Sequence, residues 1–263
     1  MIGTRPATRT ISPSAALLLQ FCRKPGSADY PMANIEYDPS SALSVVKSVF
    51  PDIEQQVKGK RVVDFGCGGG YQAVAYAKAG ASSVVGIEIA EHLAAICVDR
   101  VQRENLTGIV RIERQLSEQD SADIIVSQNS FEHFLEPEAI LWELQRALAP
   151  GGRIYITFGP PWFAPTGTHM GFFCRLPWLQ LLFPESTVME VRSFFRSDGA
   201  TTYREAGLGH ISIARFERVI RSCGLRMSWS HYDCIKGLNF LRYLPGVREL
   251  AINRVSCILE SAG

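Results

Sequence analysis

The stretch VVDFGCGGGYQ, residues 62–72, constrains this chain more than any other. An apolar run ends in an acid, and four of the six residues after Asp64 are glycine. The apolar run has the length of a buried strand, and the residues that follow have helical spacing. Glycines in a strand-to-helix turn let a ligand approach the backbone without interference from a Cβ atom. Three ligand classes use such turns. A phosphate-binding loop continues into Lys-Ser or Lys-Thr, and Tyr71-Gln72 is neither. A dinucleotide fingerprint needs its third glycine at position 71, where tyrosine would crowd a pyrophosphate. The pattern present is D-x-G-x-G-x-G, made by Asp64, Gly66, Gly68 and Gly70. A carboxylate at the strand end suits an amine-bearing ligand and repels a pyrophosphate.

The same alternation runs on. RVVDFG, SSVVGIEI, GIVRIER, ADIIVSQ and RIYITFG read as five strands. YQAVAYAKAG, AEHLAAICVDRVQREN and PEAILWELQRAL read as the helices between them. Near the C-terminus ISIARFERVIRSCG reads as a helix, and LRMSWSHYD and INRVSCILES as strands. Strand and helix in alternation, with Gly and Pro at the joints, predict an α/β fold: a mostly parallel sheet with helices on both faces. Glu88 closes the second strand, where an acid accepts hydrogen bonds from a ribose diol. A ligand with a ribose and an ammonium group but no phosphate is S-adenosylmethionine.

With VVDFGCGGG, VVGIEIA, ADIIVSQNSFEHF and ELQRALAPGGRIYIT in this order, the chain resembles the class I S-adenosylmethionine-dependent methyltransferases over roughly residues 58–158. The resemblance implies a Rossmann-like sheet of seven strands, the last antiparallel. It implies that Asp64 and the loop Gly66, Cys67, Gly68 and Gly70 hold the methionine end of the cofactor, that Glu88 holds the ribose and that Ile89 lies along the adenine. Gln115 and Leu116, in the turn after the third strand, would edge the adenine. Gln128 and Asn129 would lie where cofactor and substrate meet. Cys67 reads as a small buried filler rather than a nucleophile. His133, in NSFEHF, reads as a structural residue at a helix start.

Between the fifth strand and the helix at Ile211 lies a segment far longer than an ordinary connection, rich in aromatics and prolines. It starts at the strand ends where the methyl donor is expected, and reads as a helical substrate lid over residues 160–210. Most of its aromatics should form a small core of the lid's own. The remaining organisation is an N-terminal helical segment, 1–57, and the methyltransferase core, 58–263. His169, the only histidine at the start of the lid, is the leading base candidate, with anchoring or packing as alternatives. Tyr203 and Asn129 are placed to hydrogen-bond a substrate. The dispersed histidines give no metal set.

The chain has 263 residues, a formal net charge of +1 and seven scattered cysteines with no CxxC pair. That balance implies no general affinity for nucleic acid or for a membrane, and the cysteine pattern fits a reducing cytoplasm. SAALLLQF, behind Arg5 and Arg9, reads as an N-terminal helix rather than a signal peptide; a transit peptide is a lesser alternative. The expected activity is methyl transfer to a small molecule through oxygen, nitrogen or a carboxylate. Two alternatives stand beside it. The aminobutyryl arm of the cofactor is used instead, as in closure to azetidine-2-carboxylate, or the chain is a cofactor-binding fold relative that serves a partner protein. Oligomeric state is not legible.

Overall fold

The computed structural model describes residues 11–24 and 41–262, so parts of the expected N-terminal segment, 1–10 and 25–40, lie outside the described residues. Seven strands form one sheet: β1 Arg61–Phe65, β2 Ser83–Ile87, β3 Val110–Glu113, β4 Ala122–Gln128, β5 Leu148–Phe158, β6 Leu225–Cys234 and β7 Ile252–Ser261. Their order is β3-β2-β1-β4-β5-β7-β6, and β7 alone runs antiparallel to its neighbours. The helices are α1 Pro13–Leu19, α2 Ala42–Lys47, α3 Ile53–Gln56, α4 Tyr71–Lys78, α5 Glu91–Arg103, α6 Pro137–Ala147, α7 Leu179–Leu182, α8 Glu185–Arg192, α9 Ile213–Ser222 and α10 Val247–Ala251.

The central strands read as continuous apolar runs because both of their faces are covered. Val63, Phe65 and Ile125 point into one core with Leu141 and Leu144 of α6 and Phe216 and Val219 of α9. Val62, Ile124 and Val126 point into the other with Val74 of α4, Val101 of α5 and Ile53 of α3. Chain order reverses at β1, which pairs with β2 on one side and β4 on the other. Ligands of open α/β sheets bind in the crevice at that reversal, outside the strands' carboxyl ends. Gly68 and Glu88 both lie there.

One boundary differs from the sequence reading. β5 begins at Leu148, ahead of the APGG turn expected to precede it. Leu148 pairs with Ala122, and a bulge before Ile124↔Arg153 absorbs the Pro-Gly-Gly residues.

The segment between β5 and α9 contains α7, α8 and a 3-10 turn, Met170–Phe172. Much of its aromatic and aliphatic content packs together: Phe173, Val188, Met189, Phe195, Tyr203 and Leu208 are buried in one cluster. Ala15 and Leu18 of α1 complete that cluster. Ser12 donates from its Oγ to Glu190 Oε2 at 2.6 Å, and the Ser14 and Thr187 hydroxyls are 2.8 Å apart. The N-terminal helix α1 is therefore packed on the segment between β5 and α9, while α2 and α3 cover the sheet.

Candidate active site

The glycine turn is built from backbone that most residues do not adopt. Gly68 has φ +53 and nothing within 4 Å of where a Cβ would stand, so its open side is available to a ligand. Gly70, φ +77, caps α4, and a Cβ there would lie 2.1 Å from Cys97 Sγ. Glu88 clamps the turn: its Oε2 accepts from Gly68 N at 2.9 Å and its Oε1 from Ala90 N at 2.8 Å. Each oxygen keeps a further lone pair. Arg100 donates from Nε to Gly69 O at 2.7 Å and stacks on the Tyr71 ring at 3.5 Å. Beside Glu88, Ile89 is 75% exposed, an apolar side chain with no cover at the strand edge. Arg114 joins the turns after β2 and β3 by bonding Glu91 at 2.6 Å and Ile89 O at 3.4 Å.

Asp64 is fully buried beneath the turn. Burial is the main force raising its carboxyl to about 7, opposed by a hydrogen bond from the Ala73 backbone and helped by the charge of Glu88. Its Oδ2 has no partner among the described residues. Cys67 is held protonated by its hydrogen bond with Cys97 and by burial, so it is no nucleophile.

The second half of the crevice lies where β4 and β5 end. Gln128 Oε1 accepts from Gln72 Nε2 in the first turn of α4. Asn129 is exposed, in the left-handed region at φ +51, with its N–H on Thr157 O at 2.7 Å. The loop beyond it ties down both ends of the segment between β5 and α9. Glu132 accepts from Gly159 N through its carboxylate at 3.4 Å and from Gly209 N through its carbonyl at 3.1 Å. His133 Nδ1 bonds Gly207 O at 2.9 Å. Its ring then faces His169, with centroids 5.2 Å apart. His169 is pushed down to about 4 by burial first and the nearby His133 second, against a hydrogen bond with the Pro160 backbone. The imidazole is therefore neutral at neutral pH. Glu132 is the converse case, a carboxyl raised by burial to about 7, with Oε2 unpartnered among the described residues.

Residues 63–156 match the family model described as a methyltransferase domain. The carboxyl-edge acid, the open glycine turn and that match agree. Residues 63–156 form a methyltransferase domain. Its fold is shared with an S-adenosylmethionine-dependent methyltransferase from Mesorhizobium loti, at TM-score 0.54 and 18% identity over 83% of this chain and 97% of that one. It is shared also with a phosphoethanolamine N-methyltransferase 2 from Haemonchus contortus solved with S-adenosyl-L-methionine, at TM-score 0.53 and 15% identity over 85% of this chain and 53% of that one. In sequence, 136 residues are 28% identical to a ubiquinone biosynthesis O-methyltransferase from Hydrogenovibrio crunogenus, covering 48% of this chain and 56% of that protein. The chain thus spans about half the length of the curated relatives it matches.

The methyltransferase cofactor is S-adenosylmethionine, and the residues present fit it. The spare lone pairs of Glu88 suit a ribose diol, Ile89 offers an apolar surface to a base, and the unpartnered Asp64 oxygen leaves an acidic base under the glycine turn. Of the adenine-side candidates, Gln115 is exposed, whereas Leu116 is partly packed into the core with its N–H on Glu143 Oε1 at 3.1 Å. The acceptor-side candidates separate. Asn129 and His169 sit in the two segments that leave the ends of β4 and β5. Tyr203 is buried within the segment between β5 and α9, edge-on to Trp162 at 5.0 Å, with burial raising its hydroxyl. Arg100 and Glu132 were not legible from the sequence, and His133 read as structural. Arg100 and the glycine it holds are 31 residues apart, and nothing local marks the pairing.

Proposed function

We propose that this chain methylates a small molecule on oxygen, with His169 receiving the hydrogen bond of the acceptor hydroxyl. The observation that carries the reading is a neutral, largely buried imidazole at the same sheet edge as the Glu88–glycine turn. The relatives' name, O-methyltransferase, supports the oxygen acceptor.

S-adenosylmethionine supplies an electrophilic methyl group on a sulfonium. The chain's own work is to hold, orient and dehydrate. Glu88 fixes the cofactor's sugar end and the glycine turn its methionine end. The lid, tied at both ends to Glu132, keeps water from the acceptor side. A hydroxyl becomes a better nucleophile as its proton is drawn away, and only an unprotonated imidazole accepts that proton. Burial keeps His169 in that form, which also disfavours the alternative of anchoring an anion through charge.

The test is product analysis. Purified protein with S-adenosylmethionine and a panel of phenols, sugars, amines and carboxylic acids should yield S-adenosylhomocysteine and a methyl ether. Methylthioadenosine released without any acceptor would instead mean that the aminobutyryl arm is used.

A further inference from the structure

The link between β6 and β7, residues 235–251, exposes a run of large apolar side chains. Leu238, Phe240, Tyr243, Leu244, Val247 and Leu250 are all exposed, Phe240 by 60% and Tyr243 by 71%. They sit on two short helical turns, Asn239–Tyr243 and α10, separated by Pro245 and Gly246. An apolar cluster of this kind on a folded chain marks a surface that something covers.

Its charges are one-sided. Lys236, Arg242 and Arg248 stand among the apolar residues, against Glu249 alone. Glu249 is turned inward: its carboxylate accepts from Ile213 N at 3.0 Å and Ala214 N at 2.7 Å, capping α9. Arg248 bonds Glu217, while Arg242 lies over the Tyr243 ring at 4.8 Å. Outward, the patch presents aromatic and aliphatic side chains with basic groups and no acid.

Its place matters too. Phe158, the last residue of β5, pairs with Val255, and Cys234 pairs with Ile252. The link therefore emerges at the sheet edge that carries the glycine turn and the lid. Through Glu249 it is bonded to the start of α9, where the chain returns from the lid.

From this combination we propose that the 235–251 link is an interfacial docking surface for an anionic lipid bilayer. Phe240, Tyr243 and Leu244 enter the headgroup–acyl boundary, and Lys236 and Arg242 meet the lipid phosphates. Docked this way, the active-site edge faces the membrane. The inference goes beyond the methyl-transfer reading and is independent of it, because lipid binding needs neither cofactor nor acceptor. It differs from the expectation of no general affinity for an anionic membrane, drawn from net charge, in resting on local charge.

The experiment is co-sedimentation with vesicles of phosphatidylcholine alone or with about a third phosphatidylglycerol, at low and high salt. The protein should sediment with the anionic vesicles, and less so as salt rises. The double substitution Phe240→Glu and Leu244→Glu should lower that partition about tenfold or more. Its melting temperature and its affinity for S-adenosylhomocysteine should stay unchanged, which separates lost docking from misfolding. Three results would overturn the proposal: no sedimentation with anionic vesicles, equal sedimentation of the substituted protein, or a dimer in light scattering that Phe240→Glu converts to monomer.

Discussion

Glu88 accepts the backbone N–H of Gly68 at 2.9 Å, so the residue proposed for the ribose also sets the shape of the turn proposed for the methionine end. Its other oxygen is on Ala90 N at 2.8 Å, at the start of α5. A single carboxylate thus joins β2, the glycine turn and the next helix.

Substitution at Glu88 should therefore have two effects. Glu88→Ala should weaken S-adenosylhomocysteine binding by about 1.5–3 kcal/mol, the usual worth of hydrogen bonds to a charged group. It should also lower the melting temperature of the ligand-free protein, because two N–H groups lose their acceptor. Calorimetric titration and thermal melts read these separately. Unchanged affinity would mean that the ribose lies elsewhere.

His169→Gln tests the acceptor side. If the imidazole takes the hydroxyl proton, turnover should fall about 10²–10⁴-fold while cofactor affinity holds. His169 is depressed to about 4, so wild-type turnover should show no acid limb from this residue between pH 6 and 8. The loss in the variant should shrink only where the acceptor ionises by itself. Wild-type kinetics with a lower melting temperature would make His169 a packing residue.

Glu132 gives a stability prediction with a definite sign. Its carboxyl is raised from 4.5 to about 7 by burial, so the folded state binds the proton more tightly than the unfolded chain does. Stability from this group is fully present below about pH 4.5 and is lost as pH rises towards 7. Glu132→Gln keeps an acceptor for Gly159 N but carries no charge. Its melting temperature should exceed the wild type's at pH 8, and the gap should close towards pH 5. A gap independent of pH would show that Glu132 is not buried as a charge.

Arg192 and Asp198 tie the segment between β5 and α9 together, and their pH dependence has the opposite sign. The guanidinium is buried and bidentate on the carboxylate, at 2.6 and 2.5 Å, and its hydrogen bonds hold Asp198 down at about 2. A carboxyl lowered in this way stabilises the fold above its ordinary 3.8 and loses that contribution as pH falls towards 2. Asp198→Ala leaves a buried cation with one partner fewer. It should cost about 1–3 kcal/mol, below the range for a fully buried pair because Asp198 is half exposed. Limited proteolysis at neutral pH should then cut sooner within residues 160–210. Cleavage at the wild-type rate would count against a role in lid stability.

Much of this was written locally. The strand-and-helix alternation of residues 61–158 and the edge position of Asp64 and Glu88 follow from apolar periodicity and glycine spacing, which act over a few residues; the reversal at β1 came only with the strand order. The segment after β5 declared itself by length and aromatic content. β5 itself was legible only in its second half, because the bulge that extends it back to Leu148 depends on pairing with β4.

What tertiary structure alone decided is which groups share a space and what burial does to them. Arg100 supports the glycine turn, and His133 reaches Gly207 across 74 residues. Histidine at position 169 was visible from the start, but its neutrality was not, since that comes from the lid and His133 closing over it. Tyr203 read as a substrate contact and lies in the lid's core, because α1 and α8 close around it. Hydrophobic periodicity is a property of neighbours along the chain. Desolvation is a property of neighbours in space, and the chemistry of His169, Glu132 and Asp64 rests on it.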